Sequence, residues 1–213
     1  MLKKLKKIMI PNFKAHPWHG ISAGEDAPNV VNTFIEIVPS DTIKYEVDKK
    51  SGYLKVDRPQ KFSNIIPALY GFIPRTYCHE EVKKLAIREG ATDVSEGDHD
   101  PLDILVLCSH NIHSGGLLMD AIPIGGFKMI DKSEADDKIV AVMVGDQVYG
   151  HMRDISELPQ AEVFRLKHYF LTYKNLPYEE ASCRIEEIYG ADHAKEVINA
   201  SMKDYSDKFG GEL

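Results

Sequence analysis

The stretch "SEGDHDPLDILVLCSH", Ser95 to His110, sets Asp98, Asp100 and Asp103 around His99 and Pro101 ahead of an apolar run. A strand would place Asp98 and Asp100 on one face and Asp103 on the other, and a helix would align only Asp100 with Asp103. A bend lets all three meet, and Pro101 is the expected source of it, because proline fixes its own φ and pushes the preceding residue into an extended conformation. Converging carboxylates repel one another, so keeping them ionised calls for a cation. Oxygen-only ligation points to a hard ion such as Mg²⁺, which keeps several waters at about 2.0 to 2.1 Å. The spacing lacks the glycine and glutamate of an EF-hand loop, and zinc is a poor match. His99 alternates with Asp98 and Asp100, so it is expected to point away from a metal that those two hold. The plainer alternative is a solvated acidic loop.

A second acidic stretch, "MIDKSEADDKIVAV", carries Asp131, Glu134, Asp136 and Asp137, with Lys138 opening the next apolar run. Two acidic loops at strand ends are what a site for several metal ions requires.

The elements that must position these residues are mostly short strands. Segments 33–38, 43–47 and 54–58 are rich in β-branched and aromatic residues, and Gly52 supplies the turn between the last two. Further strands are expected at 104–108, 117–122, 126–130 and 138–142, a run that suggests a barrel. "HEEVKKLAIREG", 79–90, reads as a helix inserted at the surface between strands. Beyond Ser156, Val163, Leu166, Phe170 and Tyr173 recur at helical spacing after Pro159. Two more helices are expected at about 178–188 and 192–202. One domain over 1–213 is expected, with tails at 1–15 and 204–213 and an insertion at 79–95.

Composition bounds the function. The 213 residues are 43% hydrophobic and 28% charged with a formal net charge of -7, which disfavours nucleic acid and anionic membranes as partners. Three cysteines without a CxxC pair suit a reducing, cytoplasmic location. The opening "MLKKLKKIMIPNF" holds too short an apolar run for a signal sequence and reads as an exposed basic tail or short surface helix, with a transit peptide as the alternative.

Several segments in order, "IEIVPSDTIKYEVDKKSGYLKVDR", "IPALYGFIP", "GDHDPLDILVL", "GGFKMIDKSEADDKIVAV" and "HYFLTYKNL", resemble the soluble, Mg²⁺-dependent family I inorganic pyrophosphatases, over about Ile35 to Leu176. "HPWHG", 16–20, is similar to the N-terminal segment of a bacterial and plastid-type subgroup. The resemblance implies a mainly β fold with flanking helices (α+β), built on an OB-like closed five-stranded β-barrel. It also implies Mg²⁺-dependent hydrolysis of pyrophosphate to two orthophosphates, several ions per site, and a homo-oligomer, with the bacterial members favouring a hexamer. By similarity, Asp98, Asp103, Asp136, Asp131 and Glu46 hold metal, Asp100 is the general base, and Lys44, Arg58, Tyr70, Lys138, Tyr173 and Lys174 bind phosphate. Glu36 and Asp57 support them. The chain departs from the family in carrying His99 at a position usually small or short and polar, Ile66 where tyrosine is common, a longer 78–95 segment, and no lysine in "NLPYEE".

On the residues alone, Lys44 with Glu46 is a surface cross-strand pair, Tyr173 a core residue with its hydroxyl at the rim, and Lys174 a solvated lysine. Cys108 reads as a small hydrophobe, and His110, His113, His151 and His168 as surface or core histidines. Two functional alternatives stand beside the resemblance: another metal-dependent phosphohydrolase, and a non-catalytic OB-like binding module.

Overall fold

The computed structural model describes residues 14–210 apart from 177 and 180, so most of the expected N-terminal tail lies outside the described residues. Ten strands and three helices alternate along it: β1 Val31–Ile37, β2 Ile43–Val47, β3 Leu54–Pro59, β4 Leu69–Phe72, α1 Glu80–Arg88, β5 Glu96–Gly97, β6 Asp103–Leu107, β7 Leu117–Asp131, β8 Glu134–Ala135, β9 Lys138–Met143, α2 Gln160–Thr172, β10 Cys183–Gly190 and α3 Ala191–Phe209. The architecture is mainly β with few helices. Strands β1, β4, β6, β9 and β7 pair in that order and β7 returns to β1, so five strands form a ring of hydrogen-bonded neighbours. Strands β2 and β3 form a separate hairpin.

Strands β6 and β9 run parallel, with Asp103 opposite Lys138 and Leu107 opposite Val142. Both are buried almost throughout, which is why they read as continuous apolar runs rather than as alternating ones. Their side chains alternate between two clusters. Ile104, Val106, Ile139 and Ala141 join a cluster with Val82 and Leu85 of α1 and Val197 and Ile198 of α3. Leu105, Leu107, Val140 and Val142 join another with Leu166 and Phe170 of α2.

Four expectations are corrected. The strands expected at 117–122 and 126–130 are one strand, β7, whose register shifts between Pro123 and Gly125 without a break in the pairing. The helix expected at 178–188 is replaced by β10, an edge strand on β7. A bulge between Ile185 and Glu187 lengthens the step from Ile185 to Ile188 to three residues, which imitates helical spacing. Residues 204–209, expected as tail, continue α3, with Asp204 and Tyr205 buried. Helix α1 is more than a surface insertion: Val82, Leu85 and Ala86 are core residues. Strand β4 was not anticipated as an element. It has four residues with Gly71 among them, and a Cβ there would lie 1.8 Å from the Phe34 carbonyl oxygen of β1.

Candidate active site

At one end of the β6–β9 pair the structure opens a cavity of about 250 Å³. Its lining contains eight carboxylates, Glu36, Glu46, Asp98, Asp100, Asp103, Asp131, Glu134 and Asp136, against five cations, Lys44, Lys49, Arg58, Lys138 and Lys174. Tyr70 and Tyr173 also line it. Every expected site residue except Asp57 therefore lines this one cavity. Asp57 stands behind it, 3.2 Å from Lys44 and 3.8 Å from Arg58.

Asp98 is held by a loop zipped onto the segment that precedes α1. The Cys78 N–H donates to the Asp100 carbonyl at 2.9 Å, the His99 N–H to the Cys78 carbonyl at 3.1 Å, and the Leu102 N–H to Thr76 Oγ1 at 2.9 Å. Gly97 permits this approach, since a Cβ there would lie 2.4 Å from the Cys78 carbonyl oxygen. The left-handed residue of the loop is His99, with φ +62°, and the Asp100 N–H turns back onto Asp98 Oδ1 at 3.0 Å. The reversal that the sequence assigns to Pro101 thus lies at His99. As expected, the His99 ring is outside the cavity lining: Nδ1 pairs with the Tyr77 hydroxyl at 2.8 Å and Nε2 with Glu96 at 2.8 Å.

Carboxylate oxygens of Asp98, Asp103 and Asp136 lie within 4.8 Å of one another, close enough to share one cation. Lys138, with its side chain only 3% exposed, pairs with both Asp103 and Asp136. Burial, then the neighbouring Asp136 charge, pushes the Asp98 carboxyl well above its usual range, and burial likewise pushes Asp136 up. Burial pulls the Lys138 ammonium down, but Asp103 and Asp136 reverse this and hold it well above the usual lysine value. Glu36 on β1 is pushed up to about 8, chiefly by burial, although it accepts the Val47 N–H at 2.6 Å and so ties the β2–β3 hairpin to the ring.

In the same lining, Asp131 at the end of β7 pairs with Lys174 while its Oδ1 is buried without a protein partner. An unpaired buried carboxylate oxygen on a residue that lines an acidic cavity suits a hard cation. The oxygen-only donor set of Asp98, Asp103, Asp136 and Asp131 fits such an ion. Tyr173, at the C-terminus of α2, stacks on Tyr169 with centroids 5.2 Å apart, and Lys174 Nζ lies 5.2 Å from the Tyr173 ring centroid. Burial keeps the Tyr70 hydroxyl well above its ordinary value and raises that of Tyr173, so both remain protonated donors.

The model of a family described as inorganic pyrophosphatase matches residues 33–206. The chain belongs to that family. It is 46% identical over 199 residues to the inorganic pyrophosphatase of Chlamydia muridarum, covering 91% of this chain and 95% of that protein. It is 39% identical over 202 residues to the soluble inorganic pyrophosphatase of Zea mays, covering 95% and 85%. Among solved structures, the inorganic pyrophosphatase of Thermus thermophilus superposes with a TM-score of 0.74 at 27% identity, covering 91% of this chain and 99% of that one. The inorganic pyrophosphatase of Neisseria gonorrhoeae superposes at 0.72 with 28% identity, covering 87% and 96%.

Within this family frame, the sequence reading missed Lys49 as a cavity residue. It sits in the turn after β2 and pairs with Asp100 across 51 residues of chain. Trp18 and Tyr169 also line the cavity unannounced. A solvated turn lysine carries no local signal of a distant partner, so only the fold could reveal it.

Proposed function

We propose that the chain is a metal-dependent enzyme that hydrolyses inorganic pyrophosphate to two orthophosphates. The observation that carries this reading is the cavity itself: clustered carboxylates, Asp136 buried and Asp98 and Asp103 half-buried, with lysine, arginine and tyrosine donors lining the same space. Such a mixture suits a polyanionic substrate that arrives with divalent cations. The five-strand ring serves as the closed OB-like barrel of the family, the chain acts in the cytoplasm as a single domain, and it assembles as a homo-oligomer, for which a hexamer is the favoured form. Among the described residues no helix is long and apolar enough to cross a membrane.

Asp98, Asp103, Asp136 and Asp131 hold Mg²⁺, with Glu46 as a further ligand and Glu36 and Asp57 in support. Ions bound there would offset charge on the phosphates and lower the pKa of a coordinated water. The chain's own groups do the rest. Asp100, half-exposed at the cavity mouth, accepts the proton of the attacking water. Lys44, Arg58, Lys138 and Lys174 orient both phosphates and offset charge on the leaving one, and the Arg58 fork is able to contact two oxygens. Tyr70 and Tyr173 donate hydrogen bonds without adding charge.

The test is phosphate release from pyrophosphate and from ATP, with and without Mg²⁺, for the wild type and Asp100→Asn. Mg²⁺-dependent release from pyrophosphate, little from ATP, and a large loss of turnover in the variant are expected. Folded protein that leaves pyrophosphate intact would sink the reading. Faster hydrolysis of ATP would assign the site to another phosphohydrolase.

A further inference from the structure

We propose that Cys108, His110 and Asp146 form a second cation site, selective for Zn²⁺ or a similarly thiophilic ion, at the opposite end of the β6–β9 pair from the carboxylate cavity. One ligand atom of each residue lies within 4.8 Å of the other two. Asp103 opens β6 and Cys108 directly follows its last residue, while Lys138 opens β9 and Asp146 lies just beyond its end. Five residues of strand separate the two places, about 16 Å at the usual rise. The inference is independent of the reaction proposed above.

The donor chemistry sets this cluster apart. Thiolate, imidazole and carboxylate together suit a borderline ion that prefers four ligands in a tetrahedron, whereas the oxygen cavity suits Mg²⁺. A tetrahedral zinc site spaces its ligand atoms about 3.5 Å apart, so a contraction of roughly an ångström completes the geometry. Asp146 is already fixed for the purpose. Its Oδ1 accepts the Val148 and Tyr149 N–H groups at 2.9 and 2.8 Å, and its Oδ2 accepts the Ser109 N–H at 2.7 Å and the Ser109 hydroxyl at 2.9 Å. Although burial opposes it, these bonds hold the carboxyl far below its usual range, so it stays ionised.

The Ser109 hydroxyl also lies 3.0 Å from His110 Nδ1, between the carboxylate and the imidazole. Of the four groups that bind Asp146, it alone is able to turn away by a side-chain rotation, which frees a lone pair on Oδ2 for a metal. The Cys108 sulfur accepts the His110 N–H at 3.4 Å, but burial and the Asp146 carboxylate raise the thiol above its ordinary value, so the metal itself has to displace the thiol proton to solvent on binding. The fourth position opens on a surface cavity of about 390 Å³ that Cys108, His110 and His113 line together. Cys78 and Cys183 are buried, so Cys108 is the thiol a cation reaches from outside.

The test titrates the full chain, first saturated with Mg²⁺ to occupy the oxygen cavity, with Cd²⁺ as the probe. Sulfur-to-metal charge-transfer absorption is read, with Zn²⁺ binding followed by calorimetry. One equivalent with a thiolate band is expected, together with protection of Cys108 from alkylation by Zn²⁺. His110→Ala, at an exposed position, weakens binding by about ten-fold or more while Mg²⁺-dependent phosphate release is unchanged. Ser109→Ala binds at least as tightly as the wild type. Asp98→Asn, a change in the other cavity, leaves the band in place. Absence of a thiolate band in the wild type overturns the proposal, and so does a Cd²⁺ affinity that His110→Ala leaves within two-fold, since a lone thiol would then explain the binding.

Discussion

The Tyr77 hydroxyl and His99 Nδ1 lie 2.8 Å apart, so the one left-handed residue of the acidic loop is braced by a ring contact outside the cavity. Replacing His99 by glycine removes that brace, worth about 0.5 to 1.5 kcal/mol, but relieves a left-handed conformation that costs a non-glycine residue about 1 to 2 kcal/mol. His99→Gly is therefore expected to keep the stability within about 1 kcal/mol and to leave the number of bound divalent ions unchanged, as read by urea unfolding and calorimetry. His99→Val, with a β-branched side chain at positive φ, loses stability. Loss of a bound ion in His99→Gly would place the histidine in the metal site after all.

Asp204 of α3 closes the N-terminus of α1. Its carboxylate accepts the His79 N–H at 3.0 Å, the Glu81 N–H at 2.9 Å and the Val82 N–H at 3.1 Å, and the residue is only 3% exposed. Alanine there strands three donors at a buried helix start, and a loss of about 2 to 3 kcal/mol is expected in chemical denaturation. Asn, which keeps one acceptor oxygen, costs less. Equal stability of Asp204→Ala and the wild type would mean that water satisfies α1 in its place.

These two residues mark the limits of what the sequence discloses. Asp98, Asp100 and Asp103 announce themselves because several charges crowded into six positions demand a counter-ion, and β2 is legible to the residue because its apolar and charged positions alternate. Asp204 sits in a polar stretch that resembles a tail, and its three partners lie more than 120 positions away. Lys49 is hidden for the same reason. Strand β10 misleads in another way, since its bulge converts a two-residue period into a three-residue step. His99 hides the turn because proline, two residues on, is the louder local signal.

Acid should act on Asp154 in a defined direction. Its carboxylate accepts the Ala191 N–H at the start of α3 at 2.9 Å and both the N–H and the hydroxyl of Ser156, at 3.0 and 2.7 Å. These bonds hold its pKa below the usual carboxylate value. A depressed native pKa contributes stability that is present above the unfolded value, about 3.9, and is lost as pH falls through the folded value. The gap in urea midpoint between the wild type and Asp154→Asn is thus expected to be largest near neutrality and to close below about pH 4. A gap constant from pH 7 to pH 3 would remove the carboxylate charge from the account.

Metal removal should cost stability as well as activity. Saturating Mg²⁺ at about one hundred times its dissociation constant adds about 2.7 kcal/mol to the native state, so chelation lowers the melting temperature reversibly. Asp98→Asn is expected to raise the stability of the metal-free protein, because it removes a carboxyl whose ionisation burial and Asp136 both oppose. The same variant forfeits the Mg²⁺-induced gain. If the thermal shift with Mg²⁺ persists in Asp98→Asn, the ion is held elsewhere.

The parallel pairing of β6 with β9 has a consequence for how finely the carboxylate cavity is able to vary. Side chains on a strand change face at every residue, so a slip of one position would turn Asp103 and Lys138 to opposite sides and bring wrong residues into both apolar clusters. Intermediate placements are not available to the ladder. The placement of this acid beside this base is therefore digital: substitutions in the surrounding loops tune what enters the cavity, while the pairing of Asp103 with Lys138 is inherited whole from a backbone register that the cores on either side enforce.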